Sequence, residues 1–179
     1  PEKNTTSLTL NKTSDKILCD GTSHEIHLIA KLSEDDCTDV VTFKSSNKDL
    51  ATVDGNGVVT TKANAHGSAT ITATAGDHTA TYKLTQAGSG INVTADQKTI
   101  VYKEWWETEN LLDNIKKSID VTCADCHNNL ERDKDYEVIV SDYKKTGKVD
   151  VTIKGIGAFE GMTSKTSVNV EYHKHGEQG

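Results

Sequence analysis

Cys123-Ala124-Asp125-Cys126-His127 is the sharpest chemical motif of the chain. Its C-x-x-C-H spacing is that of covalent haem c attachment, in which two thioethers hold the porphyrin and the histidine ligates iron. The same two thiols, with His127 or another ligand, also have the residue types of a tetrahedral zinc site. The setting argues the other way. Asn128-Asn129 follows at an expected inter-strand turn, the single methionine, Met162, has small or polar neighbours, and no second ligand pair lies nearby in sequence. A haem needs an apolar pocket and usually a second axial ligand. The expectation is therefore a turn carrying thiols or a short-loop disulfide, without a cofactor, with haem c or a metal on Cys123, Cys126 and His127 as the alternative.

Trp105 and Trp106 are the next candidates. Adjacent residues on a helix or strand cannot both face one core, so the pair is a possible platform for stacking on a sugar or binding a protein. Core or interdomain packing of at least one ring is the plainer reading. His173 and His175 share a strand face at a spacing that binds metal weakly, or form part of a solvated tail. His24 and His27 face opposite sides of an expected strand and form no pair. Glu34, Asp35, Asp36 and Asp39 suit calcium or a plain acidic loop, while Asp54-Gly55-Asn56-Gly57 lacks the spaced carboxylates of a calcium loop and reads as a hairpin turn. Cys19 and Cys37 flank an expected strand of about eight residues, roughly 26 Å long, and are not expected to be bonded to each other. No nucleophile, base and acid in a catalytic order and no phosphate-binding glycine loop emerge, so an enzyme is not expected.

The elements that carry these residues read as β throughout. The chain has 179 residues and a net charge of -7, which accommodates two domains of about ninety residues and argues against nucleic acid and anionic membrane surfaces. No apolar run approaches the roughly twenty residues of a membrane span. The expectation is a soluble piece, processed or excised from a longer chain. Ile26, Leu28, Ala30 and Leu32 alternate with His27, Ile29 and Lys31 as one strand. Ala69, Ile71, Ala73 and Ala75, then Ala80, Tyr82 and Leu84, form a hairpin about Gly76-Asp77. These make seven or so strands over residues 1–87. Gln86-Ala87-Gly88-Ser89-Gly90 is a boundary, with 88–90 as linker.

The second domain, 91–179, begins with strands Ile91 to Thr94 and Thr99 to Tyr102. A helical insert at about 104–117 follows, in which Trp105, Leu112, Ile115 and Ile119 recur at helical spacing, Thr108 caps the start, and Lys116 and Lys117 suit the end. Tyr136 to Val140 and Val149 to Ile153 alternate as half-buried strands, and Val168 and Val170 close the sheet.

Phe43, Ser45-Ser46-Asn47, Ala51-Thr52-Val53-Asp54, Gly57-Val58-Val59-Thr60 and Gly67-Ser68-Ala69-Thr70-Ile71-Thr72-Ala73 occur in order. This run resembles the bacterial immunoglobulin-like domain family, group 2, with Phe43 where that family most often carries Trp. Asp135-Tyr136-Glu137-Val138 and Gly155-Ile156-Gly157-Ala158-Phe159-Glu160-Gly161 are similar to a second Ig-like repeat of bacterial and phage surface proteins. The resemblance implies two tandem Ig-like β-sandwiches in an extracellular, non-enzymatic module of a bacterial cell surface or a virion tail or capsid. It further implies a spacer that binds a cell-surface carbohydrate or protein, with other copies of the assembly as possible partners. The alternatives are an electron-transfer protein using the C-x-x-C-H at 123–127 and an accessory domain of a secreted glycan-degrading enzyme.

Overall fold

The computed structural model describes residues 7–33, 39–95, 99–103, 108–141 and 146–173, and the chain divides into two compact units, Pro1–Gly88 and Ser89–Gly179. Both are Ig-like β-sandwiches, and the second carries a short helix.

The first unit contains β1 (Leu8–Leu10), β2 (Ser14–Leu18), β3 (Glu25–His27), β4 (Ala30–Leu32), β5 (Thr42–Ser45), β6 (Ala51–Val53), β7 (Val58–Thr61), β8 (Gly67–Ala75) and β9 (His78–Ala87). One sheet has the order β2-β9-β8-β5, a second β3-β7-β6, and β1 pairs with β4. Small and branched residues at alternate positions of both larger sheets meet in a core of Ile26, Leu28, Leu50, Val59, Ile71, Tyr82 and Leu84. Fully burying one such aliphatic side chain stabilises the fold by about 1.5–3 kcal/mol. Tyr82 is wholly buried, and its hydroxyl donates to Asp15 Oδ2 at 2.8 Å.

The expected strand from Ile26 to Leu32 keeps its alternation but is split into β3 and β4, which belong to different sheets. Asn11 accounts for the break. Its Oδ1 accepts from Ile29 N at 2.7 Å, and its Nδ2 donates to His27 O at 3.2 Å. A side chain thus occupies the ladder position a neighbouring strand would take.

The Ser-Ser-Asn turn after β5 is closed by its own side chains. Ser45 Oγ donates to Ala51 O at 2.7 Å, Ser46 Oγ accepts from Thr70 N at 2.8 Å, and Asn47 Nδ2 donates to Ser68 O at 3.3 Å. At the β6–β7 hairpin Asp54 Oδ1 accepts from Asn56 N and Val58 N, at 2.9 and 3.0 Å. Gly57 follows at φ +84, where a Cβ would lie 2.5 Å from Leu28 O and 3.0 Å from the Phe43 ring. Phe43 therefore packs under this turn, and the glycine makes room for it.

The second unit contains β10 (Ile91–Ala95), β11 (Thr99–Lys103), α1 (Thr108–Lys117), β12 (Ile119–Cys123), β13 (Tyr136–Ser141), β14 (Gly147–Gly155) and β15 (Thr163–His173). The larger sheet has the order β11-β15-β14-β13, and β10 pairs with β12. Val149, Val151, Ile153, Phe159, Val168 and Val170 fill its core. The helix forms, but it buries Leu111 and Ile115 and leaves Leu112 half-exposed. Ile119 is not on it. Ser118 ends the helix by donating from Oγ to Ile115 O at 2.7 Å, and the alternating Ile119-Asp120-Val121-Thr122-Cys123 then enters a strand. Trp105 lies outside the described residues.

Candidate functional site

The last residue of β12 is Cys123, and the chain turns immediately after it. Cys123 N donates to Asn128 O at 2.9 Å and His127 N donates back to Cys123 O at 3.0 Å, which closes a five-residue turn. Its flanks are held in the same unit: Ala124 N donates to Gly90 O at 3.0 Å, and the Asp125 carboxylate accepts from Ser89 N at 2.6 Å and from Ser89 Oγ at 3.0 Å. His127 completes the turn at φ +64, a left-handed conformation uncommon for a residue with a Cβ.

This backbone brings the Cys123 and Cys126 sulfurs within 4.8 Å of each other. The exposed His127 ring does not join them. Cys123 is fully buried. Burial pushes its thiol up from the ordinary value, while backbone N–H groups of Cys126 and Asp125 donate to its sulfur and pull the other way. Asn128 Nδ2 lies 3.5 Å from Cys126 Sγ as a donor. Both sulfurs are thiols, not disulfide partners. Chemically, the turn can coordinate a soft metal or close a short disulfide.

The first unit holds a second soft pair that sequence reasoning missed. Cys19 Sγ and a ring nitrogen of His66 lie within 4.8 Å of each other. Cys19 is buried just beyond β2, its N donating to Ala87 O at 2.8 Å and its Sγ meeting Ala63 O at 3.7 Å. His66 follows the loop that Gln86 fastens by donating from Nε2 to Lys62 O and Ala65 O, both at 2.8 Å. Forty-six residues separate Cys19 from His66, and no local spacing signals their approach.

Among the other candidates, Trp105, Trp106, Cys37, His175, Glu34, Asp35 and Asp36 lie outside the described residues. His24 binds Asp20 Oδ1 through Nε2 at 3.0 Å, and the exposed His27 sits 3.7 Å from Glu25. His173 is 3.8 Å from Glu171. Beside α1 the second unit has a groove of about 490 Å³ lined by Leu112, Asp113, Lys116, Arg132, Glu137 and Ile139. Charges of both signs line it.

Residues 5–85 match the family model of the bacterial Ig-like domain (group 2). The first unit is a bacterial Ig-like domain. Such domains are typical of surface proteins, and Ig-like families are generally non-catalytic. No curated protein matches the chain in sequence. Solved structures similar to it include tandem Ig domains of titin, at 9% identity and TM-score 0.47, covering 94% of this chain and 97% of that one. Domains 5–6 of the S-layer protein SbsC match at 16% identity and TM-score 0.37, over 94% and 98%. Human protocadherin-24 EC1-2 matches at 9% identity and TM-score 0.38, over 96% and 99%. Likeness at these scores carries no functional weight. Among the described residues, no helix is long and apolar enough to cross a membrane.

Proposed function

We propose that the chain is a non-enzymatic structural and adhesive module of a bacterial surface protein, a spacer that also binds a cell-surface carbohydrate or protein. The match of residues 5–85 to the bacterial Ig-like domain carries this reading. The net charge of -7 favours a neutral or basic partner over nucleic acid. Binding is assigned to Trp105 and Trp106, and, independently of them, the groove beside α1 offers through Asp113, Lys116, Arg132 and Glu137 donors and acceptors to sugar hydroxyls or a polar protein surface.

The test is binding of the full chain to a glycan array and to whole cells, with Trp105→Ala, Trp106→Ala and Arg132→Ala beside it. The expected result is measurable binding that each tryptophan variant weakens by roughly tenfold or more, about 1.4 kcal/mol, with circular dichroism unchanged. Absence of binding to every surface overturns the adhesive role, and undiminished binding by both folded tryptophan variants removes the platform.

A further inference from the structure

Two thiols on one turn can stay inert, oxidise together or hold a soft metal, and the surroundings of the sulfurs decide among these. Burial and the neighbouring Cys126 thiol disfavour a lone Cys123 thiolate, backbone N–H groups of Cys126 and Asp125 oppose them, and the Asn128 side-chain amide meets the Cys126 sulfur at 3.5 Å. N–H donors stabilise a negative sulfur more than a neutral one, and donors of this kind around a ligand atom orient it and tune it for a metal.

The backbone makes the same choice. At φ +64, His127 takes a left-handed conformation uncommon for a residue with a Cβ, and the turn it completes leaves the sulfurs within 4.8 Å of each other. Two thiolates on a tetrahedral ion, each about 2.3 Å from it, lie roughly 3.8 Å apart. The metal charge also answers the burial of Cys123, since a divalent cation neutralises two thiolates that the interior would otherwise disfavour.

We propose that Cys123 and Cys126 form a thiolate clip for zinc, with His127 shaping the turn and not ligating the ion. Binding releases the two thiol protons to solvent. The two thiolates fill half of a tetrahedron, and two further nitrogen, sulfur or oxygen ligands complete it.

The test uses the full chain, reduced and stripped of metal, titrated with Co²⁺ and then with Zn²⁺ against a chromophoric chelator. Expected are thiolate-to-cobalt absorption with tetrahedral d–d bands, displacement by zinc, and a thermal midpoint that rises with zinc and falls back with chelator. Cys126→Ser, at the half-exposed position, should bind at least about a hundredfold more weakly with its fold intact, whereas His127→Ala should bind as the parent does. Cys123→Ser should also lose binding, with circular dichroism separating that loss from unfolding. Absence of the thiolate band, or Cys126→Ser binding as tightly as the parent, overturns the proposal. Loss of binding in folded His127→Ala, or a Cys123–Cys126 disulfide in protein from its native source, overturns it equally.

Discussion

The two units lay their strands on the same plan and hold it with different residues. In each, the entering chain first pairs antiparallel, β1 with β4 and β10 with β12, and then shifts to run parallel to the final strand, β2 along β9 and β11 along β15. The first unit fills this frame with alternating aliphatic side chains around the wholly buried Tyr82 and fixes its turns with Ser45, Ser46, Asn47 and Asp54. The second uses a helix, one fully buried Phe159 and a turn bearing two thiols. The difference teaches that strand order tolerates different packing, whereas a family signature records the turns: only the first unit, with its hydrogen-bonded Ser-Ser-Asn turn, carries the family match.

The largest expected effect separates the two cores. Phe159→Ala should destabilise the second unit by about 3–5 kcal/mol, because one aromatic plug leaves a cavity its neighbours cannot fill. Ile71→Val in the first unit should cost only about 0.5–1.5 kcal/mol, since it removes a single methyl group. Denaturant unfolding with hydrogen exchange read at β14 and β8 checks both. A Phe159→Ala loss no larger than that of Ile71→Val would mean that its neighbours collapse into the space the ring leaves.

A smaller effect compares the turns. Gly155→Ala places a Cβ 2.0 Å from Phe159 O, inside a turn closed by Gly155 N donating to Met162 O at 2.7 Å. Backbone must shift, at a cost of about 1–3 kcal/mol. Gly67→Ala meets nothing within 4 Å, although its φ of +135 strains any side chain. Gly155→Ala should therefore give the lower thermal midpoint of the two, and the reverse order would show that strain outweighs crowding in these sandwiches.

Much of this architecture was legible in the sequence because alternation and turn chemistry act locally. The β8–β9 hairpin, the Asp54 to Gly57 turn and the helix ending at Lys117 follow from neighbours in the chain. The break between His27 and Ala30 was not legible, since the apolar alternation continues across it and its cause, Asn11, lies in the link between β1 and β2. Ile119 fits a helical spacing as well as a strand, and only the Ser118 hydrogen bond to Ile115 shows where the helix stops. At the thiol turn the C-x-x-C spacing was visible, but the N–H groups around the sulfurs and the turning away of His127 depend on backbone geometry that no residue type announces.

The smallest effect concerns charge at a first-unit turn. Asp20 accepts from Thr22 Oγ1 at 2.6 Å and Thr22 N at 3.0 Å, and the His24 ring Nε2 lies 3.0 Å from the same carboxylate. These bonds, the Thr22 hydroxyl foremost, bring its carboxyl down to about 2 from 3.8. A carboxyl depressed on folding binds its proton less readily than in the unfolded chain. Its contribution to stability is therefore complete above about pH 4 and is lost as pH falls towards 2. Asp20→Asn should flatten that part of the acid unfolding profile and lower stability modestly at neutral pH, because the amide oxygen still accepts from Thr22 but the carboxylate's charge is gone. Titration of the Asp20 carboxyl by NMR checks the cause directly. A midpoint near 3.8 would mean that the Thr22 and His24 contacts are not kept in solution, and the turn would then rest on its backbone alone.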